Sequence, residues 1–266
     1  MINKDKLKKE FSRHAAEYDR FAALQFDIAE ELLAKIPIIP QRILDLGCGT
    51  GAISLALARK FPKAQIHAVD IAEGMIKVAE SKAVELGINN IAWRIEDLET
   101  LSFPEESFDL IISSAALQWT NHLPLVFARL FKLLDPGGCL LFSIFGKKSL
   151  CELREAAKKA YGNKYNYEQT FPDTQEITNI LNRSSFKMIK VDSAIKERIY
   201  DSVEHLLKTL KNIGAQNSSI KRPLRLIPKG EWAAMLEYYK EKFGIETKIK
   251  ATYEILYGVG FRPEEL

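Results

Sequence analysis

The hydrophobic positions along this chain form short strand-like runs in some segments and follow helical spacing in others. The order of these segments predicts an α/β fold. Short apolar runs predict strands at Ile43–Leu46, Gln65–Val69, Phe108–Ser114 and Cys139–Ile144. Between the runs lie segments with helical spacing, such as Ala52–Lys60. Strands that alternate with helices pair in parallel, because each connection has to cross over the sheet. We therefore expect a mostly parallel sheet with helices on both faces.

Both ends of the chain carry further patterns. Asp5–Lys35 predicts a helix that breaks near Asp19–Ala23. Steps of three and four put five residues on one face of that helix: Phe11, His14, Tyr18, Ala22 and Gln25. Toward the C-terminus, Phe186–Tyr200 and Thr247–Val259 predict a sixth and a last strand, and residues 201–244 between them hold two helical patterns.

Two short sequences have the pattern of a capping box, in which a polar side chain and a glutamate three residues later bond the free N–H groups of a helix start. Ser149–Glu152 predicts a helix that runs to Tyr161, and Asp173–Glu176 predicts another helix. Ala72 precedes a further helical segment and has no capping group, which costs about 1 kcal/mol.

A glycine-rich turn follows the first strand, with glycines at positions 47, 49 and 51. A strand that turns sharply into a helix presents free backbone N–H groups, and glycines let a ligand approach them closely. Asp70 ends the second strand 19 residues after Gly51. At that spacing a carboxylate reaches the ribose hydroxyls of a bound nucleoside. We therefore expect a cofactor that contains a nucleoside.

The spacing of the glycines bears on which cofactor it is. Dinucleotide sites have the pattern G-x-G-x-x-G, whereas this turn is G-x-G-x-G with Asp45 two residues before it. An acidic residue there repels a pyrophosphate but suits a ligand with an ammonium and a sulfonium. The run D-x-G-x-G-x-G resembles motif I of the class I S-adenosylmethionine-dependent methyltransferases. The resemblance implies a Rossmann-like, seven-stranded sheet whose last two strands pair antiparallel, S-adenosylmethionine as cofactor, S-adenosylhomocysteine as product and no metal.

Later segments match the same family in order. By this resemblance Asp70 binds the ribose, Asp97 hydrogen-bonds the adenine amino group, and the backbone near Ser113 faces the methionine moiety. Leu133–Gly138 looks like the turn before the fifth strand. Each aspartate taken alone could instead cap a helix. The cofactor-binding residues implied are Tyr18, Gln25, Asp45, Gly47, Gly49, Gly51, Asp70, Ile71, Met75, Asp97, Leu98 and Ser113.

Four further segments carry a closer resemblance, which covers nearly the whole chain. They are Phe11–Gln25, Leu117–Trp119, Leu210–Ala215 and Thr252–Gly258. They are similar to segments of the malonyl-acyl-carrier-protein O-methyltransferases of biotin synthesis. Leu117–Trp119 is less specific, because trans-aconitate methyltransferases have a similar segment. The resemblance implies methylation of the free carboxylate of a malonyl thioester on acyl carrier protein, which starts pimeloyl synthesis. It also implies a helical lid at 1–40, a core at 41–200 and 246–266, and a substrate-specificity insertion at 201–245.

The expected chemistry needs few catalytic groups. A carboxylate with a pKa near 4 is already a nucleophile at neutral pH. Catalysis would come from in-line alignment in a dry pocket, and such positioning can supply roughly 7–11 kcal/mol. We hypothesise that Tyr18 closes the pocket and orients the reacting groups, with Trp119 and Gln118 at its reactive end. Trp119 could pack against the sulfonium through its ring face, or it could simply be a core aromatic.

The malonyl carboxylate also needs a cationic guide. Residues on the N-terminal stripe, in the insertion and after the fifth strand are candidates for binding the substrate or its carrier: His14, Lys211, Arg222, Arg225, Lys147 and Lys148. Most surface cations are merely solvated, so each one alone is a weak candidate. A rim of several would steer an acidic carrier protein electrostatically.

Composition sets broad limits. The 266 residues are 47% hydrophobic, enough for one α/β domain with an insertion. No run of eighteen apolar residues predicts a membrane span, and the polar Met1–Glu10 does not predict a secretory signal. Cys48, Cys139 and Cys151 are too scattered for a disulfide framework or zinc site, so we expect a reducing, cytoplasmic setting. The formal charge of +3 is too slight to indicate nucleic acid.

Three other functions stay open. The chain could methylate another small molecule, such as trans-aconitate or a quinone ring carbon, although a carbon nucleophile requires a base and none is obvious. It could be a cofactor-binding module without catalysis. It could also act on RNA, which the weak charge and the lack of a nucleic-acid-binding module disfavour. The oligomeric state is not predicted by the sequence, with a monomer as the default expectation.

Overall fold

The computed structural model describes residues 1–162, 171–214 and 228–264, which build one sheet covered by helices. The strands are β1 Arg42–Leu46, β2 Gln65–Asp70, β3 Ile91–Ile95, β4 Phe108–Ser114, β5 Leu134–Phe145, β6 Lys187–Tyr200, β7 Gly244–Ile245 and β8 Lys248–Phe261. The helices are α1 Lys4–His14, α2 Tyr18–Phe21, α3 Ala23–Leu33, α4 Ala52–Lys60, α5 Glu73–Glu85, α6 Leu123–Leu133, α7 Cys151–Tyr161, α8 Thr174–Arg183, α9 Val203–Asn212 and α10 Lys229–Phe243.

The strands lie in the order β3-β2-β1-β4-β5-β8-β6, with the short β7 on the side of β8. The first five are parallel, and β8 runs antiparallel between β5 and β6. The expected α/β fold and the antiparallel last pair are confirmed. The strand order reverses between β1 and β4, so a crevice opens beyond their carboxyl ends. Such switch points are where ligands bind in open α/β sheets.

Successive residues of the central strands face opposite sides of the sheet and enter two separate apolar clusters. Ile43 packs with the cluster that holds α3, α4, α7, α9 and α10, and Leu44 packs with the one that holds α6 and α8. Tyr239 of α10 and Leu206 of α9 are fully buried in the first cluster. The described part of segment 201–245, predicted as an insertion, therefore contributes to the main core.

The N-terminal helical segment breaks twice. A 3₁₀ turn at Ala15–Glu17 separates α1 from α2, and Ala22, with φ −91° and ψ 22°, separates α2 from α3. The predicted break near residues 19–23 is confirmed. Ile28 and Leu32 on α3 are fully buried in the main core. The predicted lid at 1–40 therefore includes a helix, α3, that belongs to the main core.

One of the two predicted capping boxes is confirmed and the other is wrong. Asp173 accepts from the N–H of Glu176, whose side chain bonds back to the N–H of Asp173. At α7 the capping residue is Leu150, with no side-chain cap. Ser149 instead exchanges hydrogen bonds with the backbone of Glu254, and the Glu152 carboxylate accepts from Thr252. Both groups are buried against β8, where the strand's polar atoms take precedence over local capping.

Ala72 begins α5 without a side-chain cap, as predicted. Cys48 and Cys139 are buried, as expected of small apolar residues, and Cys151 is exposed. Within the described ranges, no helix is both long enough and apolar enough to cross a membrane.

Candidate functional site

The glycine turn joins β1 to α4 at the crevice. Gly47 and Gly49 have φ of 68° and 54°, in the left-handed region that residues with a Cβ seldom adopt. A Cβ on Gly47 would lie 2.3 Å from the Cβ of Ala116, so the turn packs tightly there. A Cβ on Gly49 would meet no atom within 4 Å. A ligand can therefore approach the backbone at Gly49.

Asp70 stands at the end of β2 beside this turn. Its carboxylate accepts hydrogen bonds from the N–H of Gly49 at 3.0 Å and of Ala72 at 2.8 Å. Burial raises the pKa of Asp70 to about 6, although these backbone bonds oppose the rise. A carboxylate has about four acceptor sites, so acceptors remain for a pair of hydroxyls. This arrangement fits the ribose-binding role predicted for Asp70.

A second buried carboxyl, that of Asp45, lies under the same turn. Burial raises its pKa to about 7, and the charge of Asp70 contributes, while the hydrogen bond from the Ser54 hydroxyl opposes the rise. Neither aspartate forms an ion pair within the described ranges. Two carboxyls without a partner cation, one buried and one partly buried, favour binding of a positively charged ligand, which would lower both pKa values.

Two narrow cavities flank the turn, and we call them the glycine-turn cavities. The first, of about 80 Å³, is lined by Tyr18, Gly47, Asp70, Asp97 and Trp119, with the predicted Ile71, Met75 and Leu98 also on its wall. The second, of about 60 Å³, is lined by Tyr18, Gln25, Asp45, Gly47 and Gly49. Ligand pockets typically enclose roughly 300–1,000 Å³. The N-terminal segment, through Tyr18, forms part of the wall of both cavities and narrows them.

The N-terminal segment before α3 is called the cover below. It is fastened by polar contacts near its two ends, and between them an apolar cluster holds residues of the cover and of the α5 region: Phe11, Ala15, Tyr18, Ala72 and Met75. At one end, Lys4 pairs with Asp97 and Glu99 after β3. At the other, Asp19 accepts a hydrogen bond from the hydroxyl of Thr50 in the glycine turn and pairs with Lys82 of α5. Both sets of polar contacts are partly exposed, so each ion pair contributes about 1 kcal/mol or less.

Tyr18 lies between the two fastenings and borders both glycine-turn cavities. Burial, followed by the charges of Asp70 and Asp19, raises the pKa of the phenol above its usual value. The hydroxyl therefore stays protonated near neutral pH. It can donate a hydrogen bond, but it cannot act as a base.

A third cavity, of about 350 Å³, lies on the other side of the cover and is called the large cavity below. Aromatic residues form much of its wall: Phe21, Trp119, Phe145, Phe171, Tyr200 and Tyr253. The hydroxyls of Tyr200 and Tyr253 lie 3.0 Å apart and share a hydrogen bond. Arg20, Arg198 and His205 also line it, and no carboxylate does within the described ranges. Its shape and charge suit an extended, partly apolar anion.

The large cavity meets the glycine-turn cavities at two predicted residues, Trp119 and Gln25, and a third, Gln118, lies on its wall alone. Trp119 lines the first glycine-turn cavity as well as the large one, and its ring packs edge-on against Phe11, 5.7 Å between centroids. Gln25 lines the second glycine-turn cavity as well as the large one. Gln118 lines the large cavity, and its NH₂ group donates to the carbonyl of Ala115.

Two acceptor atoms at this junction are orphaned. The Oε1 atoms of Gln25 and Gln118 are buried and have no hydrogen-bond partner. An unpaired buried acceptor costs about 1–3 kcal/mol, so each one marks a place where a bound donor is stabilised. An ammonium or amide N–H group is the type of ligand group that fits.

Other predicted residues lie outside the cavities. Ser113 is fully buried and its hydroxyl donates to the carbonyl of Leu46, whereas the neighbouring Ser114 lines both glycine-turn cavities. Gly51 and His14 line none of the three cavities, and His14 lies 3.8 Å from Glu10. Lys211, Lys147 and Lys148 are not on their walls either. Arg222 and Arg225 lie outside the described residues.

Sequence reasoning missed Lys4 and the cations and tyrosines of the large cavity. Arg198 and Tyr200 stand two apart on β6, so the period of the strand places them on one face. That signal was available in the sequence. Their meeting with α3 and with Tyr253 of β8 was not, because it depends on the order of strands in the sheet.

The chain is similar in sequence to known methyltransferases. A family profile described as a methyltransferase domain matches residues 43–138, which include the glycine turn. A malonyl-[acyl-carrier protein] O-methyltransferase of Gallionella capsiferriformans is 34% identical over 99% of this chain and 92% of its own length. One of Methylococcus capsulatus is 36% identical over 92% of this chain and 89% of its own.

Solved structures share the fold at lower identity. The YcgJ protein of Bacillus subtilis superposes with a TM-score of 0.63 and 17% identity, over 90% of this chain and 98% of its own. A phosphoethanolamine N-methyltransferase of Haemonchus contortus, solved with S-adenosyl-L-methionine, superposes with a TM-score of 0.61 and 18% identity, over 95% of this chain and 57% of its own. At such identity the likeness concerns the fold alone.

Proposed function

Because this chain belongs to the malonyl-[acyl-carrier protein] O-methyltransferase family, we propose that it methylates the free carboxylate of a malonyl thioester on acyl carrier protein, with S-adenosylmethionine as methyl donor. One observation about the site carries the proposal. Trp119 borders both the first glycine-turn cavity and the cation-lined large cavity, so a donor in one and an anionic acceptor in the other would meet at its ring.

The residues around the glycine turn fit the donor. Asp70 would accept from the ribose hydroxyls, Asp97 from the adenine amino group, and the approachable backbone at Gly49 would border the methionine moiety. Asp45 would offset positive charge, and the orphaned Oε1 atom of Gln25 on the wall of the second glycine-turn cavity would accept from an ammonium. S-adenosylmethionine, when bound, supplies a methyl group on an electrophilic sulfonium.

The protein's own contribution is positioning and exclusion of water. The attacking carboxylate needs no base, and Tyr18 with its raised pKa is a hydrogen-bond donor that would orient a reacting group. Trp119 and Phe11 would seal the junction with apolar surface. Because carboxylate and sulfonium charges both disappear in the reaction, a dry junction favours the transition state over the separated ions.

We further propose that the methyl ester starts pimeloyl synthesis for biotin, since masking the charge lets chain-elongating enzymes accept the primer. One curated relative, of Teredinibacter turnerae, is named a biotin biosynthesis bifunctional protein and is 33% identical over 97% of this chain. We expect the protein to act in the cytoplasm as a monomer, without nucleic acid or membrane. Light scattering of the purified protein measures the oligomeric state.

The decisive experiment supplies labelled S-adenosylmethionine with one acceptor at a time. The acceptors are malonyl carrier protein, malonyl-CoA, trans-aconitate and bulk RNA, with acetyl carrier protein as the control that lacks the free carboxylate. We expect label on malonyl carrier protein, released by base because methyl esters hydrolyse. Label on trans-aconitate or RNA alone, base-stable label, or no label on any acceptor would overturn the proposal.

A further inference from the structure

Arg198 is the cation best placed to recognise an anionic acyl group in the large cavity. Its side chain is 33% exposed, against 47% for His205 and 76% for Arg20, the other two basic residues on the wall. Arg20 pairs with Glu17 on the outside, and His205 pairs with Asp201. A partly buried guanidinium binds a carboxylate more strongly than an exposed one because less water competes with it.

The present partner of Arg198 is a carboxylate outside the cavity wall. Arg198 pairs with Asp27 on α3, and Lys196 pairs with Glu31 one turn further along the same helix. Residues 196 and 198 share a face of β6, so the two ion pairs lie side by side and both join β6 to α3. Each of these two ion pairs is called a rung below. Only the Arg198 rung borders the large cavity, next to Tyr200 on the same face. Asp27 is half-exposed.

We propose that Arg198 is the acyl-carboxylate anchor and that Asp27 is its exchange partner: the substrate carboxylate takes the guanidinium from Asp27, and Asp27 reclaims it after methylation. This inference rests on the proposed function. The exchange keeps the arginine paired in both states, so no buried charge is left alone. A methyl ester carries no charge and cannot compete with Asp27, so methylation itself weakens binding of the product.

The same pair accounts for selectivity between acyl groups. A malonyl thioester can compete for Arg198, whereas acetyl or malonamyl thioesters of similar shape cannot. A hydrogen bond to a charged group contributes about 1.5–3 kcal/mol. Losing the guanidinium should therefore raise the KM for the malonyl substrate roughly 10- to 100-fold. Freeing the guanidinium from Asp27 should lower that KM.

The test compares Arg198→Gln, Asp27→Asn and, as matched control, Lys196→Gln, which breaks the neighbouring rung without touching a cavity. Steady-state kinetics with malonyl carrier protein are measured together with inhibition by malonamyl carrier protein. We expect Arg198→Gln to raise the KM for the malonyl substrate and leave the inhibition constant of the neutral analogue unchanged, which removes the preference for charge. Asp27→Asn should lower the KM and strengthen inhibition by malonate, and Lys196→Gln should do neither.

The outcomes separate the inference from the function on which it rests. If the wild-type protein does not methylate malonyl carrier protein, the proposed function fails. If the wild type is active but Arg198→Gln changes KM no more than Lys196→Gln, or raises both constants equally, the anchor lies elsewhere. Thermal melting of all three variants tells a folding defect from a change in recognition, and Arg198→Lys should recover part of the charge preference because it keeps the charge but not the planar fork.

Discussion

Lys4 Nζ lies 2.9 Å from Asp97 Oδ1, so the first turn of α1 is held by the residue predicted to bind the adenine amino group. Glu99 Oε2 lies 2.7 Å from the same ammonium. Lys4 and Asp97 both line the first glycine-turn cavity, so this contact lies at its wall. We therefore propose that the ion pairs of Lys4 help to hold this segment over the cavity.

The first prediction concerns this fastening. Lys4→Gln should increase the rate at which S-adenosylhomocysteine dissociates by roughly 3- to 10-fold, because a partly exposed ion pair contributes about 1 kcal/mol. Stopped-flow displacement of the bound product measures the rate. Lys9→Gln, which removes an exposed charge from the same helix, is the control. Equal dissociation rates in the two variants would show that Lys4 does not hold the cover.

The second prediction follows from the raised pKa values of Asp45 and Asp70, about 7 and about 6. Both are above the value near 3.9 of an unfolded chain, so the free energy of unfolding falls as pH rises from about 4 to about 7 and levels off above that. A cationic ligand favours the ionised carboxylates, so its affinity should fall as pH falls through the same range. Calorimetric titration with S-adenosylmethionine between pH 5.5 and 8.5 measures this.

The third prediction separates stability from binding at Asp45. Asp45→Asn keeps an acceptor for Ser54 and removes the buried charge. Without added cofactor its melting temperature should exceed that of the wild type by roughly 3–8 °C at pH 8.5, and by less at pH 6, where the wild-type carboxyl is largely protonated. Its cofactor affinity should drop at least tenfold. A variant that melts lower than the wild type at pH 8.5 would refute the destabilising charge.

The fourth prediction concerns the Tyr18 hydroxyl. Tyr18→Phe should lower kcat roughly 10-fold, because it loses one positioned donor, with little change in the KM for the cofactor. The phenol stays protonated near neutral pH, so the pH profile of kcat between 6 and 9 should keep its shape. Full turnover by Tyr18→Phe would remove the hydroxyl from the mechanism, and a profile that loses a limb would show that it titrates.

The fifth prediction compares two glycines of the turn. Gly47→Ala should unfold or strongly destabilise the protein, because its Cβ meets that of Ala116 at 2.3 Å. Gly49→Ala meets nothing within 4 Å and should cost only the left-handed backbone strain, about 1–2 kcal/mol, while its methyl group blocks the approach of a cofactor. Urea unfolding and cofactor titration measure the two effects. Similar losses of stability in both variants would contradict the packing argument.

The failed capping box at Ser149–Glu152 shows where local reasoning stops. The pattern is the same as at Asp173–Glu176, and only the second one forms a cap. Ser149 and Glu152 are 1% and 2% exposed, and the polar backbone of β8 beside them has to be satisfied. A buried strand about a hundred residues away outweighs a local cap, and the local sequence gives no sign of it.

The sequence by itself determined which segments form helices and strands, through their hydrophobic periodicity, and which residues lie around the glycine turn. Gly47, Gly49, Asp70 and Asp97 stand at or next to strand ends, and parallel strands bring their carboxyl ends to one edge of the sheet. Only the tertiary structure decided which residues line the large cavity, where we propose that the substrate binds. Arg198 and Tyr200 belong to the edge strand β6, and their neighbours on α3 and β8 are set by strand order and by the breaks around α2. Contacts between segments far apart in the chain leave no periodic trace within either segment, so the charge of the large cavity became visible only in the folded chain.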